Sequence, residues 1–157
     1  MKLAEPYFAP LERQIRLTRE AYSWEGTPFQ PNQRAKGAGV DCVQLAGAIY
    51  IACGAIDRFD PGPYTMDHSA HSHRSIVGDW LDTSVRFKES TSPHPQIGDL
   101  VTFRIGLTSH HVGICLHREE AAWAIIHCYR GQTTRVDVAT DDFLDRYPIH
   151  QIWRPIE

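Results

Sequence analysis

The sequence predicts an α+β fold, and three observations support this prediction. Two segments near the N-terminus, residues 10–24 and 42–53, have the apolar content and end signals of helices. From residue 97 onward, apolar residues recur with period two in successive short runs, which is typical of half-buried strands. Helices first and strands later is an α+β order. We therefore expect N-terminal helices packed on an antiparallel sheet of about five strands.

All 157 residues are expected to form a single domain, 1–157. A chain of this length buries roughly 70% of its unfolded surface around one core. Its 42% apolar and 22% charged residues are ordinary for a globular protein and exclude a disordered chain or a coiled coil. The sequence contains no internal repeat and no second domain boundary.

Charge and hydropathy argue against several classes of partner. The net charge is −3 and basic residues are mixed with acidic ones, so we expect no nucleic-acid partner. No run approaches 18 apolar residues, so we expect no membrane span. The segment 1–6 lacks a signal-peptide pattern, and we expect synthesis in the cytoplasm without an export signal. The four cysteines, Cys42, Cys53, Cys115 and Cys128, are expected to be free thiols.

The helical segments have recognisable ends. Pro10 suits the first turn of a helix that ends near Trp24, and residues 26–40 form a turn-rich loop. Asp41 is a suitable N-cap for an apolar helix that starts at Cys42, and Gly54 suits its C-terminal stop.

The remainder of the chain divides into one obscure region and a series of strands. Residues 57–95 are rich in His, Ser, Asp and Pro, with one short helix expected around 76–81. The expected strands are 99–103, 111–116, 122–129, 134–138 and 149–153, with a short helical segment at 141–145.

Cys42 is the candidate nucleophile. A helix N-terminus beside an imidazole lowers the pKa of a thiol, and a Gly-rich loop directly before Cys42 lets a substrate approach. We therefore expect a thiolate at this residue near neutral pH. The alternative is a small buried hydrophobe in a core helix, which is the commoner role of a cysteine.

His111 is the candidate general base, since it begins a strand-like segment and could take the thiol proton. His110 competes with it, but the apolar alternation that follows favours His111. That alternation puts His111, Gly113 and Cys115 on one face and leaves the other face to the core. His127, in the next strand-like segment, could hold the His111 ring in the right tautomer.

Five motifs in order give the chain a resemblance to a known family. They are Trp24-Glu25-Gly26-Thr27-Pro28-Phe29, Lys36-Gly37-Ala38-Gly39-Val40-Asp41-Cys42, Ile97-Gly98-Asp99-Leu100-Val101-Thr102-Phe103, His111-Val112-Gly113-Ile114 and Ile126-His127. Together they resemble the NlpC/P60 family, most closely its short phage-type cell-wall peptidases. The match runs from about residue 10 to the C-terminus and leaves 57–95 unmatched in detail.

The resemblance implies a papain-like fold and a cysteine peptidase that cleaves the stem peptide of murein, typically between D-glutamate and a diamino acid. It implies that Cys42 is the nucleophile, His111 the base and His127 the orienting residue. The Cys42 backbone N–H would contribute to an oxyanion hole. No metal and no cofactor are required. The implied partners are the peptidoglycan stem peptide and phage-like tail proteins, and the implied place of action is the cell wall.

Two positions depart from the family pattern. Many members have Tyr where Phe29 stands, with its hydroxyl near the nucleophile. Ser commonly follows the cysteine, where this chain has Val43. In members that bind the free amine of the stem peptide, Asp and Ser beside the cysteine contribute, so Asp41 is expected to retain part of that role. Asp41, Phe29 and Val43 are the candidate substrate-binding positions.

Other readings of the sequence predict different functions. Nine histidines suggest a metal site, but adjacent strand residues such as His110 and His111 point to opposite faces and make poor joint ligands. The cluster of His68, His71 and His73 is expected to be a solvated loop. Two alternatives keep the fold: an inactive structural or binding module of a phage-like particle, and a related thiol acyltransferase or amidase.

Overall fold

The computed structural model describes residues 3–62, 64, 76–105 and 108–157. The described part contains four helices and eight strands. The helices are α1 (Leu11–Tyr22), α2 (Cys42–Ala52), α3 (Ile76–Thr83) and α4 (Asp141–Arg146). The strands are β1 (Arg34–Ala35), β2 (Gly39–Val40), β3 (Phe87–Glu89), β4 (Leu100–Ile105), β5 (Thr108–Glu119), β6 (Ala122–His127), β7 (Arg135–Val138) and β8 (Ile149–Pro155).

The central element is an antiparallel sheet of six strands in the order β3-β8-β4-β5-β6-β7. The five strands expected from the sequence are all present, and the α+β prediction is confirmed. The sixth strand, β3, pairs with β8 through Phe87 and Pro155. It comes from the region 57–95, where a three-residue strand is too short to show a period-two pattern. The predicted loop before α2 also contains a small hairpin of β1 and β2.

Helix α2 is buried along almost its whole length. Its sequence is apolar on all sides, so it is stable only where other elements surround it. It packs against α1 on one side and against β5 and β6 on another. The predicted ends are confirmed: the Asp41 side chain accepts from the backbone N–H of Gln44 at 2.8 Å, and Gly54 has a left-handed φ of 77°. These caps fix where the helix begins, at Cys42.

Both faces of the sheet are covered. Helices α1, α2 and α3 enclose one core with the face that carries Val112 and Ile114. A second, smaller core lies on the opposite face, where Phe103 and Cys115 pack against residues of α4. The sequence-based interpretation assigned only the Val112 face to the core, and this is wrong. Cys115 is 0% exposed because α4, a helix with no buried residue of its own, covers that face.

Residues of the motif around Asp99 hydrogen-bond to three other segments of the chain. Its buried carboxylate accepts two hydrogen bonds from Arg154 of β8, at 3.0 Å from Nε and 2.8 Å from Nη2, and one from the backbone N–H of Gln96. Tyr50 of α2 donates to the carbonyl of the adjacent Gly98 at 2.8 Å. A bidentate guanidinium pair of this kind fixes geometry as well as charge. The Arg154–Asp99 pair therefore fixes the start of β4 to β8, and the Tyr50 hydrogen bond fixes it to α2.

The fit of α2 against the chain that follows it is tested by Gly47→Ala. In an exposed helix this change stabilises by about 1 kcal/mol. Here a Cβ on Gly47 would lie 2.5 Å from the Phe59 ring, and overpacking costs about 1–3 kcal/mol. We expect a net loss of about 1 kcal/mol in the free energy of unfolding, measured with urea. The pair Gly47→Ala with Phe59→Leu should recover stability, and a stabilised single variant would contradict this packing.

Candidate active site

Cys42 lies where the start of α2 reaches the sheet. The backbone N–H of Val112 interacts with its thiol, and so does that of Val43. The N–H of Val112 belongs to the peptide unit that joins His111 to Val112, so the sulfur lies beside the strand segment that carries the candidate base. Pairing of β5 with β6 runs only as far as Ile114 and Ile126. The sulfur thus contacts β5 at Val112, outside the part of this strand that is paired with β6.

The Cys42 thiol is buried, at 6% exposure. Burial raises its pKa to about 12, and the negative charge of Asp41 adds to this increase. The N–H groups of Val112 and Val43 act in the opposite direction but do not compensate. The expectation of a thiolate at neutral pH is therefore wrong for this conformation, in which the thiol is protonated. A helix terminus stabilises a thiolate by at most a few kcal/mol, and full desolvation costs more.

His111 and His127 are brought together as predicted from the sequence. His111 is on β5 and His127 on β6, and the 2.8 Å bond between His111 Nε2 and His127 Nδ1 joins the two strands. The rings are 3% and 2% exposed. Phe103, Tyr129 and Tyr147 surround the His111 ring at 5.2 to 5.9 Å between centroids. This aromatic enclosure restricts the orientation of the imidazole and excludes water from it.

A third polar residue, Asp137, completes this array, and the sequence-based interpretation missed it. Its Oδ2 lies 2.7 Å from His127 Nε2, and its Oδ1 accepts from Arg135 Nε at 3.0 Å. Burial lowers the pKa of His127 and the bond to Asp137 raises it, with a net lowering. The pairing of β6 with β7 places His127 opposite Arg135, and strand alternation then places Asp137 on the same face. The sequence alone does not show this pairing.

Asp41 is a cap residue with no exposed surface. Besides capping α2, its carboxylate accepts from the backbone N–H of Asn32 at 2.7 Å and from the Tyr64 hydroxyl. Tyr64 also lies close to Cys42: burial and the bond to Asp41 raise the pKa of Tyr64, and Cys42 adds a smaller increase. A tyrosine hydroxyl thus reaches this region from the segment 57–95, which sequence reasoning could not place.

The two other predicted substrate-binding positions lie in apolar surroundings. Val43 is 5% exposed and packs in the main core. Phe29 is half-buried, packs against the same core and pairs with Val40. Neither side chain offers a polar group to a ligand, and their contact with substrate stays a prediction.

The predictions about metals and thiols concern several histidines and all four cysteines. Within the described residues no cluster of three or more His, Cys, Asp or Glu could hold a metal ion. The segment with His68, His71 and His73 lies outside the described residues, as does the side chain of His110. The four cysteines are free thiols, as predicted, and all four are buried. Among the described helices, none is both long and apolar enough to cross a bilayer.

Two solved structures are similar to the chain over most of its length. One is the NlpC/p60 domain of the peptidoglycan hydrolase SagA, with 19% identity, a TM-score of 0.54, and coverage of 88% of this chain and 96% of that one. The other is a protein similar to a lipoprotein, of the NLP/P60 family, from Staphylococcus aureus, with 17% identity, a TM-score of 0.64, and coverage of 99% and 45%. The chain has the NlpC/P60 fold.

The NlpC/P60 fold was predicted from five short motifs, and the two structures confirm it. This chain spans less than half the length of the S. aureus protein. No family model and no curated protein matches the sequence. The phage-type subgroup and the single-domain boundary 1–157 stay predictions. In the NlpC/P60 fold of this chain, Cys42 and the pair of His111 and His127 are on neighbouring elements.

The protonation state of Cys42 is open to direct test. Because burial raises the pKa of this thiol to about 12, the thiolate fraction at pH 7 is small and grows as pH rises. We expect the alkylation rate of Cys42 by iodoacetamide to keep increasing from pH 6 to at least about pH 10, measured by peptide mass spectrometry because all four thiols must be told apart. A plateau already reached at pH 7 would instead show a preformed thiolate.

Proposed function

We propose that this protein is a cysteine hydrolase that cleaves the stem peptide of murein, with Cys42 as nucleophile, His111 as general base and His127 as the residue that orients the base. The observation that carries the proposal is the buried bond between His111 and His127, on the strand against which the Cys42 thiol packs. A pair of histidines is an uncommon feature of a packed core, because each buried polar nitrogen requires a partner.

The chemistry of this arrangement is acyl transfer through a thioester. The Cys42 sulfur attacks the scissile carbonyl while its proton passes to His111, since the thiol is protonated at rest. The carbonyl oxygen becomes an oxyanion, which the backbone N–H of Cys42 at the start of α2 can stabilise. Collapse expels the amine, which takes the proton from His111. Water then attacks the thioester and loses a proton to His111. The carbon–sulfur bond breaks, the carboxylic acid is released, and His111 returns the proton to the Cys42 sulfur.

The substrate class comes from the fold relatives and from the residues at the site. One relative is described as a peptidoglycan hydrolase, which supports murein as the substrate. The finer proposal is a bond between D-glutamate and a diamino acid. Recognition of a free stem-peptide amine would use Asp41, and the amine would have to displace the Tyr64 hydroxyl from that carboxylate. Delivery by a phage or prophage tail stays a prediction from the resemblance.

The proposed reaction is tested with purified murein and Cys42→Ala. Removing the nucleophile should lower the rate of peptide release by more than about 10³-fold, because the alanine side chain cannot form the thioester. Released fragments are identified by liquid chromatography and mass spectrometry, which also shows which bond is cut. Cys53→Ala is the matched control, since Cys53 is buried at the far end of α2, and it should retain activity.

Each outcome of this experiment favours one function. Fragments that depend on Cys42 and carry a new amine and a new carboxylate support the hydrolase. Exchange of the acyl group onto an added amine, without hydrolysis, would show the acyltransferase. Equal release by the wild type and Cys42→Ala, or none from either, would overturn the proposal and favour a binding module.

A further inference from the structure

We propose that Asp137 is a positioning residue that sets the tautomers of both histidines and so leaves His111 Nδ1 as the proton acceptor of the site. This proposal rests on the proposed function for the use of that acceptor, but the tautomers themselves are a property of the free protein. Three contacts carry it: Arg135 to Asp137, Asp137 to His127, and His127 to His111.

The direction of each hydrogen bond follows from the Asp137 carboxylate, from which this series of contacts leads to His127 and His111. Arg135 donates to Oδ1 of Asp137 through Nε at 3.0 Å, and its Nη2 lies 2.8 Å from the same oxygen in an ion pair. A carboxylate held by a guanidinium offers only acceptors. The nitrogen 2.7 Å from Oδ2, His127 Nε2, must therefore be the donor. A neutral imidazole carries one proton, so His127 Nδ1 is an acceptor.

The same reasoning continues to the candidate base. Because His127 Nδ1 accepts, His111 Nε2, at 2.8 Å, must donate. Neutral His111 then has its lone pair on Nδ1. When His111 takes a second proton there, both of its N–H groups can donate, and the charge is stabilised through His127 towards the Asp137 carboxylate. Asp137 acts only through His127 and need not touch the substrate.

The surroundings of Asp137 make this role accessible to experiment. Its side chain is 23% exposed, and it borders a cavity of about 260 Å³ that opens to solvent, lined also by His127, Arg135, Phe143 and Tyr147. Removal of the carboxylate would leave space that a water molecule or a small anion can occupy. Water both donates and accepts, so it would leave the tautomer of His127 unfixed rather than reversed.

An amide at position 137 should reverse the direction of the hydrogen bonds that link it to His127 and His127 to His111. In Asp137→Asn, Arg135 needs an acceptor, so the amide oxygen turns towards it and the NH₂ group faces His127 Nε2. That nitrogen must then accept, its proton moves to Nδ1, and His111 in turn carries its proton on Nδ1. The base can no longer accept a proton from the thiol. The nearly isosteric Asn is therefore expected to be more harmful than Ala, the opposite of what a structural role predicts.

The deciding measurement is the tautomeric state of His111 and His127 in the free protein, from ¹⁵N shifts and couplings of labelled histidines. We expect Nε2–H for both rings in the wild type, Nδ1–H in Asp137→Asn, and a mixture in Asp137→Ala. Asp137→Asn combined with Arg135→Ala frees the amide to turn and should restore part of the Nε2–H form. Unchanged tautomers in Asp137→Asn would overturn the proposal, whether or not murein proves to be the substrate.

The kcat values should follow the tautomers, with the wild type fastest, Asp137→Ala intermediate and Asp137→Asn slowest. We expect kcat for Asp137→Asn to fall by about 10²–10⁴-fold, the usual contribution of a general base, and for Asp137→Ala by less. Formate should partly rescue Asp137→Ala through the solvent-open cavity, but not Asp137→Asn. Thermal unfolding of each variant checks that the fold is kept. An Asn variant at least as active as the Ala variant would show that Asp137 only packs against His127.

Discussion

The seating of α2 against β5 is the constraint on which the rest of this structure depends. A helix that is apolar on all sides has no solvent face, so its position is decided by the elements around it. The Asp41 cap fixes the residue at which α2 starts, and its packing against the sheet fixes where that start points. Cys42 is thereby brought to the peptide unit between His111 and Val112. The same packing that stabilises the fold therefore places the proposed nucleophile.

Burial at this position has a chemical consequence. Desolvation favours the neutral forms of both the Cys42 thiol and the His127 imidazole. A resting thiolate and imidazolium would be two buried charges, whereas a thiol and a neutral imidazole need only hydrogen bonds. The ionic groups of the array, Asp137 and Arg135, are accordingly at its solvent side. The ionised groups thus lie at the solvent-exposed end of the array, and the buried end contains only the hydrogen-bonded histidines.

The sequence predicted what local signals determine. The limits of α2 follow from one N-cap and one glycine, and the strands β4 to β8 follow from alternation, so both were predictable. The pairing of His111 with His127 came from family resemblance, because spacing alone does not show which strands are neighbours. Strand β3, the contact of Tyr64 with Asp41 and the contact of Asp137 with His127 depend on tertiary pairing. No short-range pattern encodes them.

The protonation state of Cys42 is another property that the sequence alone does not determine. From sequence, the helix terminus and the nearby imidazole both argue for a lowered pKa at Cys42, while the degree of burial is unknown. The structure supplies that missing quantity, and it outweighs the helix terminus. In the proposed reaction a protonated Cys42 makes the state of His111 decisive, because the proton must leave as the bond from sulfur to carbon forms. For that reaction the directions that we propose for the two hydrogen bonds of His127 therefore matter more than the pKa of the thiol at rest.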